Sequence, residues 1–201
     1  MEKTLDFFHP PRNIKGRNVV IGIDPGVTTG LSVMVVSDMK KGVEDVMAWG
    51  SDQISYGGSG NVKDLYSGDE DFPEQEISRK IAAGILRWGK YNEVYVAIED
   101  FIIRQQNSTR DFLAPVRITA GIMQAIYQQG VEVKLTFQSP SDAKGTCTDE
   151  RMDLWGFPIK TQKDRHSRDA DRHSILLLRK FMADPRTVKT LLPVPAKYVK
   201  P

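Results

Sequence analysis

The sequence predicts an α/β protein built on a mixed five-stranded sheet, three antiparallel strands and then two parallel ones, flanked by helices. Three observations lead there. Apolar runs near residues 19–24, 31–37 and 44–50 follow one another at turn-length spacing, the pattern of an antiparallel meander. Two later runs, Val94–Ile98 and Val131–Phe137, are each preceded by a stretch of helical periodicity, as parallel strands joined by crossover helices require. A last helical stretch closes the order, and no internal repeat or low-complexity tract competes with it.

Residues 1–17, with His9-Pro10-Pro11 and scattered charges, read as an irregular leader with little order. The first strand, Val19-Val20-Ile21 and Ile23, is stopped by Pro25-Gly26, so Asp24 projects from its end. Asp38–Gly42 makes the turn between the second and third strands. Residues 52–75 carry Gly57-Gly58-Ser59-Gly60 and Asp69-Glu70-Asp71, the composition of a mobile insertion. From Glu74 to Gly89 the residues Ile77, Ile81, Ile85 and Trp88 recur at helical spacing, and the strand that follows ends on Glu99-Asp100. A second helix over Pro115–Gln129 has the stripe Ile118, Ile122, Ala125 and Ile126 and stops at Gly130. Residues 140–165 mix turns, charges and one short helix. A helix over Ser167–Met182 places Ala170, Leu177, Leu178 and Phe181 on one face, and the Pro-punctuated tail after Asp184 reads as loose. The expected organisation is a leader over 1–17, one domain over 18–183 and a tail over 184–201.

At 201 residues the chain has the length to bury a real core. No window approaches the apolar length of a membrane span, and the start lacks the basic-then-apolar pattern of a secretory signal, so a soluble, cytoplasmic protein is expected. Cys147 is the one cysteine, which excludes an intrachain disulfide framework and a cysteine-based zinc site. The net charge of +2 hides an asymmetry: residues 1–100 carry 11 Lys/Arg against 16 Asp/Glu, and residues 101–201 carry 17 against 10. A basic half favours a polyanionic partner.

Two apolar strands therefore end in acids, Asp24 and Glu99, and Arg165-His166-Ser167-Arg168-Asp169-Ala170-Asp171-Arg172-His173 offers more ligands. A carboxylate flush against an apolar run is costly to bury unless it is paired or holds a cation, although Asp24 also fits as a simple hairpin cap. On a helix, His166 and Asp169 share a face, as do Asp169 and His173, while Asp171 points elsewhere. Carboxylates contributed by separate elements suit hard divalent cations such as Mg²⁺.

At these residues the chain resembles the RuvC-like family of Holliday junction resolvases, within the RNase H-like superfamily. Ile23-Asp24-Pro25-Gly26 with Thr29-Gly30 is similar to the family's first motif, Ala97-Ile98-Glu99 with Phe101 to its second, and His166-Ser167-Arg168-Asp169-Ala170 to its third. The resemblance covers roughly residues 19–182 and implies an RNase H-like fold and a metal-dependent endonuclease that resolves four-way junctions by paired symmetric nicks. It further implies that Asp24, Glu99 and Asp169 coordinate two Mg²⁺ or Mn²⁺ ions, with His166 as a ligand or a positioner of the attacking water. A solvated helix residue is the other reading of His166, and Asp171 and His173 read as surface or supporting groups. The small size and the insertions suit a phage-type member, acting in the host cytoplasm.

Arg104, Arg110 and Arg117 follow the second motif, and Lys160, Lys163, Arg165, Arg168 and Arg172 surround the third. They would draw phosphates to the site, or else are ordinary solvated charges. Phe101 either stacks on an opened base, as the resemblance implies, or packs in the interior. Two symmetric nicks call for a two-fold dimer, and the helix with Ile118, Gly121, Ile122 and Ala125 resembles the family's interface helix, though core packing explains the same stripe. Three rival readings stay open. One is a nuclease of the same fold acting on flaps, forks, single strands or RNA–DNA hybrids. Another is an actin-like nucleotide-binding module, since Asp24–Gly30 also resembles its phosphate loop. The third is a junction binder without catalysis.

Overall fold

Successive side chains of a strand point to opposite faces, and that alternation divides this sheet into two differently covered surfaces. The computed structural model describes residues 5–55, 73–102, 110–129, 132–157, 164–184, 186 and 192–193. Strands β1 (Asn18–Asp24), β2 (Thr28–Val36) and β3 (Val46–Ser55) form the expected antiparallel meander. β4 (Glu93–Glu99) lies parallel to β1, and β5 (Lys134–Gln138) parallel to β4. A two-residue strand, β6 (Leu192–Pro193), pairs antiparallel with β5 and extends the five-strand order to β3-β2-β1-β4-β5-β6.

The odd-numbered residues Val19, Ile21 and Ile23 of β1, with Val94, Val96 and Ile98 of β4, face α1 (Pro73–Gly89) and α2 (Ala114–Gln129). From the helices, Ile77, Ile81, Ile85, Ile118, Ile122 and Ile126 close that core, each fully buried branched side chain contributing about 1.5–3 kcal/mol. The opposite parity, with Val20, Met34 and Tyr95, faces α5 (Arg165–Ala183) and the short helices α3 (Pro140–Thr146) and α4 (Asp149–Leu154). Two short helices thus occupy a stretch in which the sequence shows one. No helix among the described residues is long and apolar enough to cross a membrane.

Several boundaries shift. β2 begins at Thr28, ahead of the apolar run, because Thr28 and Thr29 pair with Ser55 and Ile54 of β3. The same pairing carries β3 to Ser55, and the insertion read as 52–75 narrows to residues 56–72, outside the described residues. The leader is the larger correction. Residues 5–17 form no helix or strand, yet Leu5 and Phe7 are buried. Leu5 N donates to Trp49 O at 3.3 Å, and Trp88 Nε1 donates to Phe7 O at 2.9 Å. Ordering comes from long-range contacts with β3 and α1, to which a local composition reading is blind.

The stripe offered as an interface is also internal. Ile118 and Ile122 are fully buried, and a Cβ on Gly121 would stand 2.6 Å from Ser78 Oγ, so the glycine admits α1 against α2. Arg117 is committed to the same contact: its Nη2 lies 2.7 Å from Oε1 of buried Glu74.

Candidate active site

By parity, Asp24 shares the α5 face with Val20, and Glu99 shares it with Tyr95 and Ala97, at the carboxyl ends of neighbouring parallel strands. Beyond Asp24, the Thr29 hydroxyl donates to Gly26 O at 2.8 Å and accepts from Gly26 N at 3.2 Å, so Pro25-Gly26 turns tightly and Asp24 stays at the sheet's end. Two glycines set the depth of α5. A Cβ on Gly22 would stand 2.0 Å from Ala170 O, and one on Gly30 would stand 1.9 Å from His166 O. Backbone of α5 meets the sheet at both points, joined at Gly22 by the Ser174 hydroxyl, and the first turns of α5 come directly over the strand ends.

That approach brings four of the expected residues together. Asp24, Glu99, His166 and Asp169 line one cleft of about 580 Å³, and Lys144, Arg165, Arg168 and Arg172 line it with them. His166 Nδ1 donates to Asp24 Oδ2 at 2.7 Å, and Arg165 Nε donates to His166 Nε2 at 3.3 Å, which fixes the imidazole as the Nδ1–H tautomer. Glu99 Oε2 accepts from His173 Nε2 at 2.9 Å. Asp169 is held by the Arg172 guanidinium, and its Oδ2 lies 3.2 Å from Lys144 Nζ. Arg172, itself buried, also donates from Nε to Cys147 O at 3.0 Å and bridges to Asp149. Burial pushes the Asp24 carboxyl above its ordinary range; the His166 contact pulls it back, and the negative charges of Glu99 and Asp169 push it up again.

Among the described residues no three His, Cys, Asp or Glu side chains stand as a ready cation cage. The donor set nevertheless suits a hard divalent cation: carboxylates from β1, β4 and α5 share one cleft and oppose one another's charge at Asp24. Each has a positively charged or imidazole partner in this arrangement, and binding a cation would exchange those partners. The residues fit such an ion through Asp24, Glu99 and Asp169.

The remaining expected residues divide. Arg165 is exposed on the cleft, and Arg168 lines it while its Nη1 lies 3.4 Å from Asp149 Oδ2. Phe101 is half-buried, edge-on to Phe112 with ring centroids 5.2 Å apart. Arg104 and Lys163 lie outside the described residues, and Arg110 is described only by its backbone, at the start of the 3-10 turn Arg110–Leu113. Of the two readings of Asp171 and His173, surface or supporting, the surface one is overturned. His173 is fully buried against Glu99, and Asp171 is 1% exposed, accepting from Ser51 Oγ at 3.1 Å. Their burial follows from the depth to which Gly22 and Gly30 admit α5. Arg172, read as one of the charges that would draw phosphates, is instead committed to Asp169 and Asp149, and Lys144 and Gln138 went unrecognised. Gln138 had a signal, standing one residue past the apolar run of β5 as Glu99 ends that of β4; Lys144 had none.

Fold and cleft define the class first: this is an RNase H-like α/β fold with acids gathered at the carboxyl ends of β1 and β4. No protein-family model matches the chain, and no curated protein matches it in sequence. Among solved structures it is similar to Thermus thermophilus RuvC in complex with Holliday junction substrate, at 19% identity and a TM-score of 0.55, covering 87% of this chain and 99% of that one. A second Thermus thermophilus RuvC structure gives 20% identity and a TM-score of 0.53 over the same shares. At these identities the likeness is one of fold.

Proposed function

We propose that this protein is a metal-dependent endonuclease that resolves four-way DNA junctions by paired, symmetric phosphodiester nicks. The observation that carries the reading is the convergence of Asp24, Glu99 and Asp169, from three separate elements, on one cleft whose rim holds Lys144, Arg165 and Arg168. The likeness in fold to a protein solved with a Holliday junction supports branched DNA as the substrate. Bound Mg²⁺ or Mn²⁺, as one or two ions held by the three carboxylates, would polarise the scissile phosphate and neutralise the charge on the leaving 3′-oxygen. The chain's own groups do the rest. Asp24 orients His166 through Nδ1, and Nε2, which accepts from Arg165 in this arrangement, is the ring position that aligns the attacking water once Arg165 turns to a phosphate. Arg165 and Arg168 hold the flanking phosphates, a contact that positions the strand without reading its sequence. Attack by water and departure of the 3′-oxygen leave a 5′-phosphate at the nick.

The test is cleavage of a labelled four-way junction beside matched duplex, flap and RNA–DNA hybrid, in Mg²⁺ or Mn²⁺. Symmetric nicks in the junction alone are expected. Preferential cutting of flaps or hybrids keeps the nuclease and overturns the substrate, and no cutting of any of them overturns the reading.

Paired nicks also need two sites related by a two-fold axis, and α2 offers a face for that contact. With the inward stripe spent on the core, Val116, Met123 and Tyr127 are 43%, 38% and 44% exposed, and Leu113, just before α2, is 46% exposed. With exposed Ala120 they fall at alternating spacings of three and four, the seam of a helix pair. A Val116→Glu, Met123→Glu double variant is expected to shift the mass in light scattering from twice 22.6 kDa to 22.6 kDa. It should also convert paired nicks into single ones. A wild-type protein already monomeric while cutting both strands in one binding event would defeat the dimer.

A further inference from the structure

Behind Glu99 lies a histidine that the proposed chemistry does not use. His173 is fully buried, with Nε2 2.9 Å from Glu99 Oε2 and Nδ1 3.1 Å from Gln138 Oε1. Gln138 is 2% exposed and stands opposite Glu99 in the β4–β5 register, where Asp100 N donates to its backbone oxygen at 2.8 Å. Gln138 Nε2 has no partner among the described residues. Half a turn of the terminal amide brings that N–H to Nδ1 of His173. The amide then donates to the ring and the ring donates to the carboxylate, so every group is used in the sense its chemistry allows.

An imidazole at this depth costs free energy unless both nitrogens are bonded, and a leucine would fill the space without that requirement. The chain of bonds also ends at a functional place. Glu99 is the partly exposed end, lining the cleft with Asp24 and Asp169, whereas His173 and Gln138 have no surface on it. With Oε2 taken by the ring, Oε1 is the oxygen left to a cation, and the carboxylate cannot rotate freely among the charges around it.

We propose that His173, anchored by Gln138, is a positioning residue that fixes the Glu99 carboxylate for divalent-cation binding. The inference rests on the reading of the cleft as a metal-dependent nuclease site. Hydrogen-bonded supports of metal-ligating groups typically affect metal affinity by about 10- to 100-fold when removed. A buried histidine serving only as packing would leave that affinity alone.

The experiment is titration of the full chain with Mn²⁺ alone, followed by electron paramagnetic resonance, for wild type, His173→Leu, His173→Gln, Gln138→Met and Glu99→Gln, with metal-free thermal unfolding beside it. His173→Leu is expected to weaken Mn²⁺ binding about tenfold or more, and His173→Gln, which restores a donor towards Glu99, to recover most of the loss. Gln138→Met should shift affinity in the same direction, and it carries the test if His173→Leu does not fold. Wild-type affinity in His173→Leu or, failing that variant, in Gln138→Met, with weakened binding in Glu99→Gln, overturns the positioning role and leaves the metal site standing. Equal affinity in wild type and Glu99→Gln removes the metal-site reading, and the positioning role falls with it.

Discussion

Asp24→Asn is expected to abolish junction cleavage and, in the absence of divalent cations, to make the protein more stable. The two effects have one cause. Asp24 is a 7% exposed carboxylate whose charge is opposed by burial and by Glu99 and Asp169, with His166 as its compensating contact. Asn keeps an oxygen that can accept from His166 Nδ1, removes the opposed charge, and cannot replace an anionic ligand. Loss of at least about three decades in cleavage corresponds to about 4 kcal/mol of transition-state stabilisation. The gain in stability should be about 1 kcal/mol, as for other sites that hold charge against the fold's preference. Its pH dependence has a definite sign. The folded-state value of Asp24 lies above the ordinary 3.8, so between the two the folded protein holds a proton that the unfolded chain has lost. Stability contributed at this position therefore falls as pH rises through that interval, and Asn removes the dependence. Thermal melts should also show wild type, and not Asp24→Asn, rising with added Mg²⁺, since only a bound ion shifts the folding equilibrium. Undiminished cleavage would remove Asp24 from the chemistry, and a less stable variant would refute the charge-crowding account.

The parts of this molecule legible in its sequence are those governed by local periodicity. Val19–Ile23 and Val94–Ile98 announce buried strands, and the acid closing each one points to the end of the sheet where the cleft lies. The separation of His166 and Asp169 by one helical turn placed both on the cleft. Longer-range physics hid the rest. Asp171, Arg172, His173 and Ser174 are consecutive polar residues, and a helical pattern assigns most such residues to solvent; all four are buried here. The partners of Asp171, Arg172 and His173, which are Ser51, Asp149, Glu99 and Gln138, lie far away in sequence or in other elements. The same holds for Leu5 and Phe7, which count as a short leader by position and as core by contact.

Gly30→Ala is expected to be strongly destabilising and to remove activity with it. The added Cβ would stand 1.9 Å from His166 O and 2.2 Å from His166 C, and these are backbone atoms that no side-chain rotation can withdraw. Relief requires α5 to lift from β2 at the turn that carries His166. Overpacking of a well-filled interior costs about 1–3 kcal/mol when side chains can yield, so a backbone collision should reach about 3 kcal/mol or more. The lift would also separate His166 from Asp24 and draw Asp169 away from Glu99, and a displacement of about 1 Å in a catalytic constellation is enough for about a hundredfold loss. Gly145→Ala provides the contrast. Gly145 lies in α3 with open space around its would-be Cβ, so the same substitution there should stabilise by up to about 1 kcal/mol through helix propensity. Urea midpoints for the two variants should therefore move in opposite directions from wild type, with cleavage lost in the first and kept in the second. Coincident midpoints would mean that α5 does not rest on Gly30, and the account of how this sheet brings its acids under the helix would have to be abandoned.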